Sequence, residues 1–233
     1  MSTQECSSNA ALPLMCLSHP ESPSAFTLSW QKRSFDIIFS TAAIILGSPL
    51  FILIALFIKC TSRGPILYCS TRLGQNGTLF KFWKFRSMCN NADQKLQKIL
   101  SENPQARQEW QKFFKLKNDP RITFIGKFLR KTSFDELPQL WNVLAGDLSI
   151  VGPRPFLPNE LPTIKDLLGD DFCAMLSIRP GLTGIWQTSG RSHLTFEERL
   201  MLDITYLQRS SFWLDIAIIG KTIPLMLFPR GAY

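Results

Sequence analysis

Two adjacent carboxylates, Asp135 and Glu136, lie in a 37-residue segment, Asp119–Pro155, that is dense in cations. Arg121, Lys127, Arg130, Lys131 and Arg154 fall inside it, and Lys117 lies just upstream. A guanidinium presents a planar fork of donors that matches phosphate oxygens, so such a cluster suits a phosphate ligand. Magnesium-assisted phosphate chemistry adds one or two carboxylates. Adjacent helical residues point about 100° apart, so Asp135 and Glu136 would not share a proton and suit separate tasks, attack and metal binding. Cations and a helix N-terminus near Asp135 favour its charged form, and an ionised aspartate is a competent nucleophile toward phosphorus. The structural alternative has equal weight here: Asp135, or Ser133 through Ser133-x-x-Glu136, caps a helix running to Leu144. Asp135 is the better cap because it leaves Pro138 in the first turn, where proline is tolerated.

Further arginines sit between glycines and prolines, at Gly152-Pro153-Arg154-Pro155, at Arg179-Pro180-Gly181 and at Gly190-Arg191. Glycine lets a backbone approach a ligand closely. Any one of these turns alone is ordinary loop chemistry; several together favour an anion site. Lys84 and Arg86 lie in FKFWKFR, where cations alternate with aromatics. That pattern fits bases stacked on a nucleic-acid-binding surface, a half-buried hairpin, or a sheet edge against lipid headgroups.

The elements that must hold these groups follow from the rest of the chain. It has 233 residues and a net charge of +8, and residues 1–31 contain no lysine or arginine, so the remainder carries +10. A basic body points to nucleic acid, an anionic membrane or phosphorylated substrates. Six cysteines without CxxC spacing and only two histidines give no zinc site. Residues 1–31, rich in Ser and Pro, read as a poorly ordered tail. Residues 37–58 carry no charge over 22 positions, long enough to cross a bilayer as a helix. A single span is the plain reading. Gly47-Ser48-Pro49 at the midpoint and cations on both flanks (Lys32, Arg33; Lys59, Arg63) favour instead a helix over 32–60 that breaks at Ser48-Pro49 and re-enters. Ile66–Phe85 reads as a hairpin around Gln75-Asn76-Gly77. Residues 92–115 form two amphipathic helices broken at Asn103-Pro104. Thr195-x-x-Glu198 opens another helix, and Phe212–Phe228 an interfacial one. The expected class is therefore α+β, mostly helical with a small β-hairpin, with residues 61–233 as one domain, which the resemblance below implies is catalytic.

With these motifs laid out, the chain resembles the bacterial sugar transferase family, the monotopic polyprenyl-phosphate phosphoglycosyl transferases, from about Lys32 to Thr222. The resemblance rests on KRSFDIIFS, GPILY with RLGQNG and FKFWKFRSM, DPRIT through GDLSIVGPRP, RPGLTGIWQTSGR and LDITYLQRSSFWLDI. Ser70 departs from it, standing where a glutamine is expected. The chain also looks like a minimal form with an added tail. The resemblance implies attack by Asp135 on a UDP-sugar, with UMP released, then transfer of the sugar phosphate to polyprenyl (undecaprenyl) phosphate. It implies magnesium on Glu136, phosphate or nucleotide contacts from Lys84, Arg86, Arg130, Arg154 and Arg191, and re-entry at Ser48-Pro49. It places the protein in the bacterial inner membrane with its catalytic domain on the cytoplasmic face, beside membrane lipids. No nucleic-acid partner is implied, and a homodimer is compatible with it. Trp186 leans toward galactose or glucose. A membrane-tethered nucleic-acid-binding protein and a non-catalytic scaffold are the rival readings.

Overall fold

The computed structural model describes residues 24–113, 116, 119–169, 171–189 and 194–227. Ten α-helices occur among them: α1 Trp30–Thr61, α2 Ala92–Glu102, α3 Pro104–Phe113, α4 Phe124–Thr132, α5 Gln139–Ala145, α6 Leu161–Leu168, α7 Asp171–Leu176, α8 Ile185–Ser189, α9 Phe196–Arg209 and α10 Phe212–Leu227. The strands are β1 Leu67–Leu73, β2 Leu79–Phe85, β3 Ser149–Val151 and β4 Gly181–Thr183. β1 and β2 form the expected antiparallel hairpin, with Tyr68 opposite Lys84, Ser70 opposite Phe82 and Arg72 opposite Phe80. Facing residues share one side of a sheet, so Arg72, Phe82 and Lys84 lie on the same face. β3 and β4 are parallel. Their exit is so close that a methyl on Gly152 would sit 2.8 Å from the Arg179 carbonyl oxygen. Only glycine permits that approach, and it fixes the turn that carries Arg154.

The long apolar stretch is one α-helix of 32 residues, about 48 Å at 1.5 Å per residue. Pro49 stands inside it without interrupting it. Proline cannot donate to the carbonyl four residues back, here that of Ile45. Ser48 Oγ donates to that same oxygen at 2.9 Å. Both ends of α1 are fastened to one domain. At the start, Arg33 donates to the carbonyls of Val143 and Leu144 at 2.6 and 2.9 Å. Lys32 meets Asp215 at 2.7 Å and Asp36 at 3.6 Å. Asp36 is buried and accepts from the Ile150 amide at 3.1 Å. Towards the far end, Ile54 and Ile58 pack with Phe85 and Leu129. Between the two ends, Ile45, Leu46, Ile52, Leu53, Leu56 and Phe57 are exposed.

The larger core joins Phe80 and Phe82 of the hairpin to α5, β3, α6, α7, α9 and α10. Phe80, Phe82 and Phe85 are all buried. Three of the four aromatics in FKFWKFR thus belong to the interior, which removes the stacking platform that a nucleic-acid-binding reading needs. On α10, Trp213 is exposed while Asp215 is fully buried.

Candidate active site

Asp135 does not cap a helix. Phe134–Glu136 forms a 3-10 turn, and α5 begins only at Gln139, with Pro138 in the cap position. Proline explains the change: it has no N–H to donate back to Phe134, so an α-helix through this point would lose a bond. The chain instead steps down through three-residue bonds, Glu136 N to Ser133 O and Leu137 N to Phe134 O. Ser133 sits in the left-handed region at φ 59°, where its amide closes the C-terminus of α4 on Arg130 O, and its side chain makes no N-terminal cap. Phe134 and Leu137 flank the pair and pack against the cluster built on α1. Asp135 is thereby held at 8% exposure.

Lys84, at the end of β2, reaches Glu136 Oε1 at 2.6 Å. The distance between hairpin and turn is set by Asn142 on α5. Its amide donates to Lys81 O at 2.6 Å, and its oxygen accepts from Trp83 N at 3.2 Å. Arg130 is steered from the other side by Ser87, whose hydroxyl accepts from Nε at 2.9 Å. The Ser87 carbonyl also accepts from the Thr123 amide, and a methyl on Gly126 would collide with it. Glycine at 126 is what lets α4 seat there. Arg154 approaches from the β3 turn, its amide donating to Asp203 at 3.2 Å.

The electrostatics reverse one expectation. Burial raises the Asp135 pKa from 3.8 to about 6, with the Glu136 charge adding to the rise. Lys84 and Arg130 oppose it without cancelling it. Partial burial works to raise Glu136 as well, but the Lys84 charge and hydrogen bond, with Arg154 and Arg72, hold it below the usual carboxylate range. The pair is therefore split: Glu136 is charged throughout the neutral range, and Asp135 is a more basic carboxylate still mostly ionised at pH 7. Pushing neighbouring carboxylates apart is how one site assigns them different tasks.

Of the residues expected to act together, Lys84 contacts Glu136, Arg130 lies within reach of the Asp135 charge and Arg154 within reach of the Glu136 charge. Arg86 does not join them. It is buried, and its guanidinium donates to Ser62 O at 2.8 Å, Ser62 Oγ at 2.7 Å and Arg63 O at 3.0 Å. Arg86 thus satisfies the carbonyls of the two residues that follow α1. Arg191 lies outside the described residues. Two further cations adjoin these. Arg72 stands on the Lys84 face of the hairpin and senses the Glu136 charge. Arg199, on the first turn of α9, lies over the Trp186 ring at 5.1 Å. Hairpin register was the available signal for Arg72, since a tight turn after Leu73 fixes which residues share its face.

Among the described residues no three His, Cys, Asp or Glu side chains gather to hold a metal. Magnesium does not require that, since it keeps several waters and takes one or two carboxylates plus substrate phosphates. Glu136, charged and 39% exposed beside Asp135, fits such a role.

The family model for bacterial sugar transferases matches residues 27–229. The undecaprenyl-phosphate galactose phosphotransferase of Salmonella typhimurium is 48% identical over 203 residues, 87% of this chain and 41% of that protein. The exopolysaccharide production protein ExoY of Rhizobium meliloti is 44% identical over 202 residues, covering 87% of this chain and 88% of ExoY. A UDP-glucose:undecaprenyl-phosphate glucose-1-phosphate transferase of Klebsiella pneumoniae is 37% identical over 209 residues, 87% and 41% of the two chains. The chain thus spans about two fifths of the first and third relatives and most of ExoY. A family match across nearly all of the described residues, with a relative aligned over most of both lengths, settles the affiliation: the chain belongs to the bacterial sugar transferase family.

Proposed function

We propose that this chain moves a sugar-1-phosphate from a UDP-sugar to undecaprenyl phosphate, a membrane step that initiates exopolysaccharide or related glycan synthesis. The observation that carries the reading is the split pair, a buried basic Asp135 beside a charged Glu136, ringed by Lys84, Arg130, Arg72 and Arg154. Asp135 Oδ attacks the β-phosphorus; an oxygen–phosphorus bond forms and the bond to the bridging oxygen breaks, releasing UMP. An oxygen of the polyprenyl phosphate then attacks the same phosphorus, and the Asp135 carboxylate leaves. The cations neutralise charge on the transferring group. Glu136 would hold magnesium, which when bound screens diphosphate charge. The names of the relatives, galactose and glucose transferases, favour a hexose.

The membrane reading rests on α1. A helix long and apolar enough to cross a bilayer has both ends held by one domain, which cannot occupy both sides of a membrane. Re-entry from the cytoplasmic face, with the exposed apolar middle in lipid, satisfies both. Cysteines placed singly at residues 31 and 62 in whole cells should then both resist a membrane-impermeant thiol reagent applied outside. Labelling of either one would sink re-entry.

The direct test of function is UMP release by the purified chain with undecaprenyl phosphate, magnesium and a panel of UDP-sugars. UDP-galactose or UDP-glucose should support turnover and N-acetylated sugars much less. Release with no member of the panel would overturn the proposal.

A further inference from the structure

The Asp135–Glu136 centre uses Lys84 and Arg130, yet the cationic surface continues past it. Burial lowers the pKa of Arg72 and of Arg199, and the repelling charge of Arg154 lowers both further. Arg154 and Arg199 both lie over the Trp186 ring, at 6.0 and 5.1 Å. The indole thus serves as a shared floor for two guanidinium groups, an arrangement its electron-rich face stabilises. None of the three arginines closes a salt bridge among the described residues. Arg72 gives one hydrogen bond, to Pro155 O at 3.4 Å, and Arg199 one, to Leu194 O at 2.8 Å.

Three buried N–H donors here have no acceptor: Arg72 Nε, Trp186 Nε1 and Arg199 Nε. A buried donor left unpaired costs free energy: Trp186 and Arg199 form one ring–guanidinium pair, and Arg72, over the Phe82 ring at 5.4 Å, joins them through the charge of Arg154, so the set calls for an anion. The nearby carboxylates Glu160 and Glu136 favour the Arg72 charge but take their hydrogen bonds elsewhere. Glu160 accepts from the Leu157 amide at 2.7 Å and Glu136 is engaged by Lys84. Asp203 accepts the Arg154 amide, but burial pushes its pKa up to about 8, so it is mostly neutral at pH 7 and leaves the arginine charge uncompensated.

We propose that Arg154 and Arg199 over Trp186, with Arg72 on the Lys84 face of the hairpin beside them, form a second phosphate subsite next to the reacting centre, with Arg199 as its outer anchor. This rests on the phosphoryl-transfer reading, in which two phosphates besides the one under attack need a place: the nucleotide phosphate of the donor and the phosphate of the lipid acceptor. Both present the same chemistry, a phosphate ester with oxygens free to take guanidinium hydrogen bonds. Arg199 stands at a capped helix start, where Thr195 and Glu198 bond reciprocally at 3.2 and 2.7 Å. Its replacement leaves that cap intact.

The test uses the full-length chain and its Arg199→Gln and Arg199→Lys variants. It measures KM for UDP-galactose or UDP-glucose, KM for undecaprenyl phosphate, and UMP affinity by calorimetry. Loss of a charged hydrogen bond to a bound anion should raise one KM roughly 10- to 100-fold in Arg199→Gln, with kcat falling far less and Arg199→Lys intermediate. A raised donor KM with weakened UMP binding identifies the nucleotide phosphate as occupant. A raised acceptor KM with unchanged UMP binding identifies the lipid phosphate. If Arg199→Gln binds UMP and uses both substrates as the parent does, the subsite does not exist, although transfer itself would stand. Calorimetry reads UMP without turnover, so a failure of the transfer reading is separately visible.

Discussion

Asp135→Asn should abolish UMP release, a loss of at least about 10³-fold, and should at the same time make the protein more stable at pH 7. Asparagine matches aspartate in shape but cannot form a covalent bond to phosphorus, so no residual turnover is expected through this path. The stability half follows from linkage. The Asp135 pKa rises from 3.8 to about 6 on folding, so between those values the folded chain holds a proton that the unfolded chain has released. Stability therefore falls as pH climbs through that window, and above pH 6 the full cost of a buried charge is present. Two pKa units correspond to at most about 3 kcal/mol; with Lys84 and Arg130 retained, a gain of about 1–2 kcal/mol is reasonable for the uncharged variant. Melting curves should show Asp135→Asn level with or above the parent at pH 7, the difference shrinking toward pH 4. In the parent, single-turnover UMP release should lose rate on the acid side with a midpoint near 6. Retained turnover in Asp135→Asn would refute the nucleophile. A variant both inactive and much less stable would mean that the loss was structural.

The sequence carried the elements well and their meetings poorly. The hairpin, the helix break at Asn103-Pro104 and the reciprocal cap of Thr195 with Glu198 each depend on neighbours within a few residues, and all three appear as expected. The Asp135 turn departs from the helix expected there although its cause is local: Pro138 stands too close to allow an α-helix, and a 3-10 turn answers that better than any choice of cap. The rise in the Asp135 pKa was beyond reach, because it comes from burial of its turn against α4 and β2 and from Glu136, and burial is a tertiary property. Arg86 shows the same limit. Its motif position resembles that of Lys84, two residues earlier, yet strand alternation ends at Phe85 and the side chain turns to the carbonyls that close α1. Arg199 entered the site from a helix more than 60 residues downstream, with no local signature beyond a cap that any helix might carry.

Lys32→Met is the substitution expected to cost most stability, because it strands two buried carboxylates together. Lys32, Asp36 and Asp215 are at most 6% exposed in their side chains, with the ammonium 2.7 and 3.6 Å from the two acids. Around them Tyr206 donates to Asp215 at 2.8 Å and lies 3.1 Å from Val151 O, and the Ile150 amide donates to Asp36. A surface pair would contribute less than about 1 kcal/mol; removing one partner of a buried set costs about 3–5 kcal/mol, because the remaining charge has no solvent to turn to. For a chain of this size that is a fall in melting temperature on the order of 10 °C. The double variant Lys32→Met with Asp215→Asn should recover part of it by removing one stranded charge, whereas independent sites would add their losses. The network spans α1, β3, α9 and α10, and β3 runs directly into the turn that carries Arg154. Loosening it should therefore raise KM for the UDP-sugar as well as lower the melting point. An unchanged melting temperature in Lys32→Met would show that this buried charge does not hold the apolar helix to the catalytic domain.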